Sequence, residues 1–316
     1  MCNLFILVII NLIKKLKMSN YFNKLLMQDY KILIFGRYGQ LGSIFDKYLA
    51  KNLNVLQLDS KEANFLYSKD IPKIIKEFNP KYIINTSAYT DVNGAESEPD
   101  IANEINCNAV KMLAEASKIN NSTLIHYSTD YVFDGKKKTR YNSSDIPNPK
   151  NVYGKTKFSG EKSIIESGCD FFIFRISWLV SEFGKNFVKI ILSKLKEKND
   201  FSVIDDQIGS PISSHLVAEI TCKIILNSIN TKKIFHVSTK GEISWYHFAL
   251  YIYQIAKNIN KNININPIKT SEYPSKTFRP KNSLFDLSEI ETVIKSPMPF
   301  WKDDITPIIK KLDNNS

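Results

Sequence analysis

Tyr153-Gly-Lys-Thr-Lys157 places a phenol and an ammonium four residues apart. On a helix that spacing puts both side chains on one face, so they can enter one cleft. A free phenol titrates near ~10, too high for acid–base work at neutral pH. A neighbouring ammonium favours the phenolate, so the spacing predicts a lowered phenol at Tyr153. Ser128-Thr129-Asp130 lies upstream, directly after an apolar run ending at Tyr127. A hydroxyl at the carboxyl end of a strand is where an α/β enzyme holds its substrate, and Thr129 can share a substrate carbonyl with Tyr153. Alone, Ser128 and Thr129 would read as loop hydrogen bonding; with Tyr153 and Lys157 they form a catalytic set.

A second signal is Gly36-Arg-Tyr-Gly39-Gln-Leu-Gly42, a GxxGxxG turn between a β-rich run and a helical pattern. Glycines there let the turn close and let backbone N–H groups approach a pyrophosphate at a helix N-terminus. Asp59 ends the next apolar run, placed for the hydroxyls of an adenosine ribose. Arg37 would favour a ribose 2′-phosphate and Asp59 would disfavour it, so NADPH and NADH both stay open.

These residues need a scaffold. Lys31–Phe35, Asn54–Leu58, Lys81–Asn85, Ser122–Tyr127 and Asp170–Arg175 read as strands. Between them, helical spacing runs through Leu41–Leu49, Ile71–Phe78, Ala109–Ile119 and the stretch after Tyr153. This alternation predicts a Rossmann-type doubly wound parallel sheet with a smaller C-terminal substrate-binding domain. Asn186–Lys196 reads as a helix, Phe201–Ile204 as a strand and Asp205–Pro211 as a turn. The expected division is an N-terminal extension over residues 1–29, a dinucleotide-binding domain over 30–177, and a mainly substrate-binding domain over 178–316, with some later segments returning to the first.

The chain has 316 residues, 43% apolar, enough for one large domain and a smaller partner. Cys2, Cys107, Cys169 and Cys222 are scattered without a CxxC pair, which argues against a zinc site or disulfide scaffold. The net charge of +11 comes from lysines spread along the chain. No basic stripe with interleaved aromatics is present, so nucleic acid is not the expected partner. Phe5 to Ile10 is too short to span a bilayer, and the lysines that follow it suit neither a signal peptide nor an anchor. Residues 1–29 therefore read as a loose extension or a start assigned too early, before Met18 or Met27. His126, His215, His236 and His247 lack metal-ligand spacing. Glu96 and Glu98 read as helix-start charges, and Trp245 and Tyr246 as packing residues near a helix start.

Gly39–Gly42, Asn85–Val92, Ala95–Pro99, Ser128–Gly135 and Asn151–Lys157 together resemble the dTDP-4-dehydrorhamnose reductases, within the extended short-chain dehydrogenase/reductases. Arg175–Trp178, Asp206–Pro211 and Arg279–Ser283 extend the resemblance over nearly everything after Met27. It implies Tyr153 as proton donor assisted by Lys157 and Thr129. It implies cofactor contacts at Gly39, Gln40, Leu41, Asp59, Asn64, Phe65, Ala88, Tyr89, Thr90, Tyr127 and Lys157, to which the glycine turn adds Gly36 and Gly42 and the YxxxK pair adds Tyr153. Thr129, Asp130 and Trp178 would meet the sugar nucleotide. The implied reaction reduces the C4 keto group of dTDP-4-dehydro-L-rhamnose with NADPH or NADH, in the cytoplasm, with room for a homodimer. Thr86 and Ser87 depart from the alanines usual in the family. Ile44 and His215 stand where some members use glutamates to hold a subunit-bridging magnesium, so no metal is expected. Two alternatives stay open: action on another nucleotide-linked keto-sugar, by reduction or epimerisation, and a non-catalytic dinucleotide-binding subunit.

Overall fold

The computed structural model describes residues 21–25, 29–50, 52–197, 199–227, 230–260, 262–275 and 277–314. Its centre is a six-stranded parallel sheet of β1 (Ile32–Phe35), β2 (Val55–Leu58), β3 (Tyr82–Asn85), β4 (Thr123–Thr129), β5 (Asp170–Ile176) and β6 (Lys233–Val237). The strands lie side by side in the order β6-β5-β4-β3-β1-β2. The order reverses between β1 and β3, and an open α/β sheet has its ligand crevice at the carboxyl ends beside such a reversal.

Because both faces are covered, the strands are apolar at successive positions. In β1, Ile32 and Ile34 enter one core with Phe45, Phe172 and Phe174, while Leu33 and Phe35 enter the other with Ile75, Leu113 and Ile164. Helices α1 (Gly42–Leu49), α2 (Ile71–Phe78), α3 (Ala109–Asn120) and α4 (Val152–Ser167) follow the strands in turn. Asn79 and Asn121 end α2 and α3 in the left-handed conformation, and Gly168 ends α4 the same way.

After β5 the chain leaves the sheet. Helices α5 (Phe187–Lys194), α7 (Trp245–Ile255) and α8 (Trp301–Asn314) pack around a third core containing Val188, Ile191, Phe248, Ile252, Trp301 and Ile305. Helix α6 (Ser214–Leu226) and β6 belong to the sheet, with Val217, Ile220 and Ile224 in the first core. The segment Asp205–Pro211, expected as a plain turn, carries a short strand at Ile208–Gly209 that pairs antiparallel with Ile243–Ser244. That pairing depends on a segment over thirty residues away, which local composition does not register.

Part of the N-terminal extension is built into the fold. Residues 21–25 form a helical turn whose Phe22 and Leu25 are buried, with Phe22 stacked on Tyr48 at 4.5 Å. The apolar run Phe5 to Ile10, with Met18 and Met27, lies outside the described residues. Among the described residues no helix is long and apolar enough to cross a membrane.

Behind the site, α4 is tied to β5 by a buried ion pair, Arg175 Nη2 to Glu161 Oε2 at 2.7 Å. Removing one partner leaves an uncompensated charge in a dry interior. Arg175→Met is expected to lower the unfolding free energy by ~3–5 kcal/mol. Urea titration checks this, and the double variant Glu161→Leu/Arg175→Met should recover most of the loss.

Candidate active site

The glycine turn sits at the reversal point. Gly36 has φ +90°, and a Cβ there would lie 2.6 Å from Thr86 Oγ1. A Cβ on Gly42 would lie 2.0 Å from the Gly36 carbonyl. Gly36 and Arg37 donate their N–H groups to Leu58 O, which binds the turn to the end of β2. No side chain caps α1, and its first turn holds no acidic residue. Ser43 and Ile44 donate their N–H groups within the turn, to Gly39 O and Leu41 O at 3.0 Å, and Gly39 is exposed, so the glycine-led start of the helix is the place where an anion fits. Gln40 Oε1 and Ser128 Oγ are buried without a hydrogen-bond partner. Orphaned polar atoms of this kind beside a backbone cradle fit a large polar ligand.

The other expected cofactor residues rim the same edge. Asp59 follows β2 and is half-buried; its Oδ1 accepts from Lys61 and Glu62 N–H groups at 2.7 and 3.1 Å. Asn64 is exposed, with Oδ1 closing a turn on Leu66, and Phe65 packs its ring against Phe35 at 5.5 Å. Leu41 is buried at the start of α1. Ala88, Tyr89 and Thr90 form the loop after β3, held where Asn106 bonds the backbone N–H and carbonyl of Tyr89. Thr86, where the family usually has alanine, turns its hydroxyl onto the Phe35 carbonyl at 2.6 Å. Arg37 Nε is held by Asp46 at 2.7 Å.

Tyr127 is buried. Alternation along β4 sends its ring into the core under the sheet, where its hydroxyl meets Thr221 Oγ1 at 2.7 Å. Its carbonyl accepts from Lys157 Nζ at 2.7 Å.

Asn151 caps α4 by accepting from the Gly154 N–H at 2.7 Å and donates to the Phe278 carbonyl. Gly154 lets α4 press against Tyr131, because a Cβ there would lie 2.2 Å from the Tyr131 carbonyl. Tyr153 is thereby set edge-on to Tyr131, ring centroids 5.5 Å apart, and within reach of the Thr129 hydroxyl. Lys157, one turn on, is buried, with Nζ on Tyr127 O and 3.2 Å from His126 Nε2.

The lowered phenol predicted from the spacing is overturned. Burial pushes Tyr153 above its ordinary value, Thr129 pulls it down, and Asp130 and Tyr131 add to the rise. Lys157 is itself lowered to about 8 by burial, opposed by Glu161. A phenol kept protonated is the form able to give a proton.

Asp130 is buried, accepting from Ser283 Oγ at 2.5 Å and from Thr129 Oγ1 at 3.1 Å. Burial raises its carboxyl to about 6 from 3.8, against the lowering effect of Ser283 and Thr129. A folded carboxyl raised above its unfolded value binds protons more tightly, so stability falls as pH rises from 3.8 to about 6. That term is on the order of 3 kcal/mol and should vanish in Asp130→Asn. Denaturation of both proteins at pH 4 and pH 7 checks it.

Trp178 stands at the entrance to the third core with φ +50°, strained for a side chain of its size. It stacks on Trp245 at 3.3 Å, and a Cβ on Gly209 would strike its ring at 2.4 Å. Ile44 is wholly buried and His215 Nε2 lies 2.8 Å from Glu182 Oε2. Glu96 accepts from the Val152 N–H at 2.8 Å and Glu98 from the Tyr89 hydroxyl at 2.5 Å, so both brace the cleft's loops.

Sequence reasoning missed Asn85, Asn106, His126, Arg279 and Ser283 as parts of the site. Asn106 emerges from a π-helical turn at Glu104–Asn108 that packs on Thr156, and Arg279 donates to the Tyr131 hydroxyl at 3.1 Å. Asn85 opens the Asn85–Val92 segment, and Arg279 and Ser283 bound the Arg279–Ser283 segment, so for these three the resemblance is the available signal.

The family model described as RmlD substrate binding domain matches residues 30–314. The chain belongs to the dTDP-4-dehydrorhamnose reductase family. The dTDP-4-dehydrorhamnose reductase of Aggregatibacter actinomycetemcomitans is 39% identical over 281 residues, covering 86% of this chain and 96% of that one. The reductase of Salmonella typhimurium is 34% identical, covering 86% and 94%. The dTDP-4-dehydrorhamnose reductase of Bacillus anthracis, solved in complex with NADP, superposes with a TM-score of 0.83 at 32% identity, covering 92% of this chain and all of that one. Membership of the dTDP-4-dehydrorhamnose reductase family makes the chain an NAD(P)-dependent oxidoreductase.

Proposed function

We propose that this protein reduces the C4 keto group of dTDP-4-dehydro-L-rhamnose to give dTDP-L-rhamnose. The observation that carries the reading is Tyr153 within reach of the Thr129 hydroxyl, with Lys157 one helical turn on and bonded to the Tyr127 carbonyl, beside a helix without a side-chain cap that begins at three glycines. NADPH or NADH supplies the hydride when bound. Gly36, Gly39, Gln40, Leu41 and Gly42 hold the pyrophosphate, Asp59 the adenosine ribose, and Asn64 and Phe65 the adenine side. Ala88, Tyr89, Thr90 and the Tyr127 carbonyl line the remaining rim. Lys157 holds the nicotinamide ribose, while Thr129 orients the keto oxygen and Tyr153 gives it a proton.

Residues 178–316 chiefly build the sugar-nucleotide side, with Trp178 and Asp130 against the sugar nucleotide, and the proposed reaction runs in the cytoplasm. The intact trio of Thr129, Tyr153 and Lys157 speaks against a purely regulatory subunit, which has no chemical need for all three. The experiment is purified protein with NADPH or NADH and a panel of nucleotide-linked keto-sugars, followed by cofactor absorbance. Turnover should be fastest with dTDP-4-dehydro-L-rhamnose. Preference for another base or sugar would reassign the substrate, and no turnover with any would overturn the reading.

A further inference from the structure

Three buried side chains behind the cleft form a relay with a defined direction. Asn85, at the end of β3, is 1% exposed, His126 in β4 is 0% and Lys157 in α4 is 2%. The Ser87 backbone N–H donates to Asn85 Oδ1 at 3.0 Å. Asn85 Nδ2 lies 3.1 Å from His126 Nδ1, and Lys157 Nζ lies 3.2 Å from His126 Nε2.

The donors can be followed outward from the backbone. An N–H only donates, so Ser87 fixes the amide with its oxygen inward and its NH2 toward His126. An amide NH2 also only donates, so His126 Nδ1 must accept. A neutral imidazole that accepts at Nδ1 carries its proton on Nε2, facing Lys157. That N–H needs a lone pair, which an amine has and an ammonium lacks. For Lys157 to be an ammonium, the imidazole proton must move to Nδ1 and confront the amide NH2, breaking the Ser87 bond.

We infer that Asn85 and His126 are a positioning pair that sets the protonation state of Lys157 by presenting it with an imidazole N–H instead of a lone pair. The pair holds the lysine close to the point where it exchanges a proton readily, next to the tyrosine on its own helix face. Burial acts on Lys157 in the same direction, and burial with the nearby lysine keeps His126 from protonating. Glu161, one turn along α4, is committed to Arg175 of β5, and Tyr153 lies one turn before. β3 offers the neutral Asn85, and the turn before α3 the neutral Asn106 on Thr156.

The inference rests on the proposed function only for its catalytic meaning; its test needs no sugar substrate. Ring-15N spectra of histidine-labelled protein at about pH 9, where Lys157 is the amine, with the His126 signal assigned by its loss in His126→Gln, should show the proton on Nε2 and none on Nδ1. The opposite tautomer would overturn the proposal. Asn85→Leu frees the ring to turn its lone pair to the lysine, so the proton affinity of Lys157 should rise about tenfold. The loss of dinucleotide affinity with rising pH should then begin about one pH unit higher than in the unaltered protein. An unchanged pH profile in folded Asn85→Leu protein would also overturn it, and if that variant fails to fold, the tautomer of the unaltered protein decides. Failure of the keto-sugar assay would remove the proposed function and leave this result standing.

Discussion

Tyr153→Phe should reduce turnover of the keto-sugar by roughly 10²–10⁴-fold, the span typical of losing a positioned proton donor. The substitution removes one oxygen and keeps the ring. The edge-on contact with Tyr131 and the fit of α4 on Gly154 are therefore preserved. Dinucleotide affinity and thermal stability should stay close to those of the unaltered protein, because the turn at Gly36–Gly42 lies on other elements. The measurement is kcat by cofactor absorbance beside a dinucleotide titration by fluorescence. Near-normal turnover in the phenylalanine variant would dismiss the phenol as donor. Its raised proton affinity gives the prediction a second edge. A phenol held protonated by burial donates over the whole neutral range, so reduction should fade only on the alkaline side, where Lys157, at about 8, loses its proton.

The second large effect belongs to Gly42→Ala. The added methyl would stand 2.0 Å from the Gly36 carbonyl oxygen and 3.0 Å from the Arg37 oxygen, both backbone atoms that no rotamer change can move. The turn must open, and the N–H groups proposed to meet a pyrophosphate are displaced with it. Overpacking of this kind costs ~1–3 kcal/mol. If that penalty falls on the bound form, dinucleotide affinity drops by up to about 100-fold. Titration with NADPH and NADH reads the loss, and unfolding by urea reports how much of the penalty the free protein also carries. Unchanged affinity for both dinucleotides would remove the turn from the binding site. Gly39→Ala is the built-in comparison: its nearest contact, the Gly36 carbonyl at 3.3 Å, demands a far smaller adjustment.

The local code of this protein is written plainly in its chain. Four-residue spacing brings Tyr153 and Lys157 to one face of α4, three glycines close the turn at the head of α1, and apolar runs at strand spacing make a sheet covered on both sides. Each of these follows from neighbours within a few residues, whose sterics and periodicity act before any tertiary contact forms. Tertiary structure decided the rest. It brought the ring of Tyr127 into the core and left its carbonyl to Lys157. It set the Tyr153 phenol above its ordinary value where spacing alone predicts the reverse, because burial is a property of everything packed around the ring. It joined Asn85, His126 and Lys157, which are 41 and 31 residues apart, into one hydrogen-bonded line. Donor direction and desolvation are set by atoms that meet only when β3, β4 and α4 pack, and no pattern along the chain encodes that meeting.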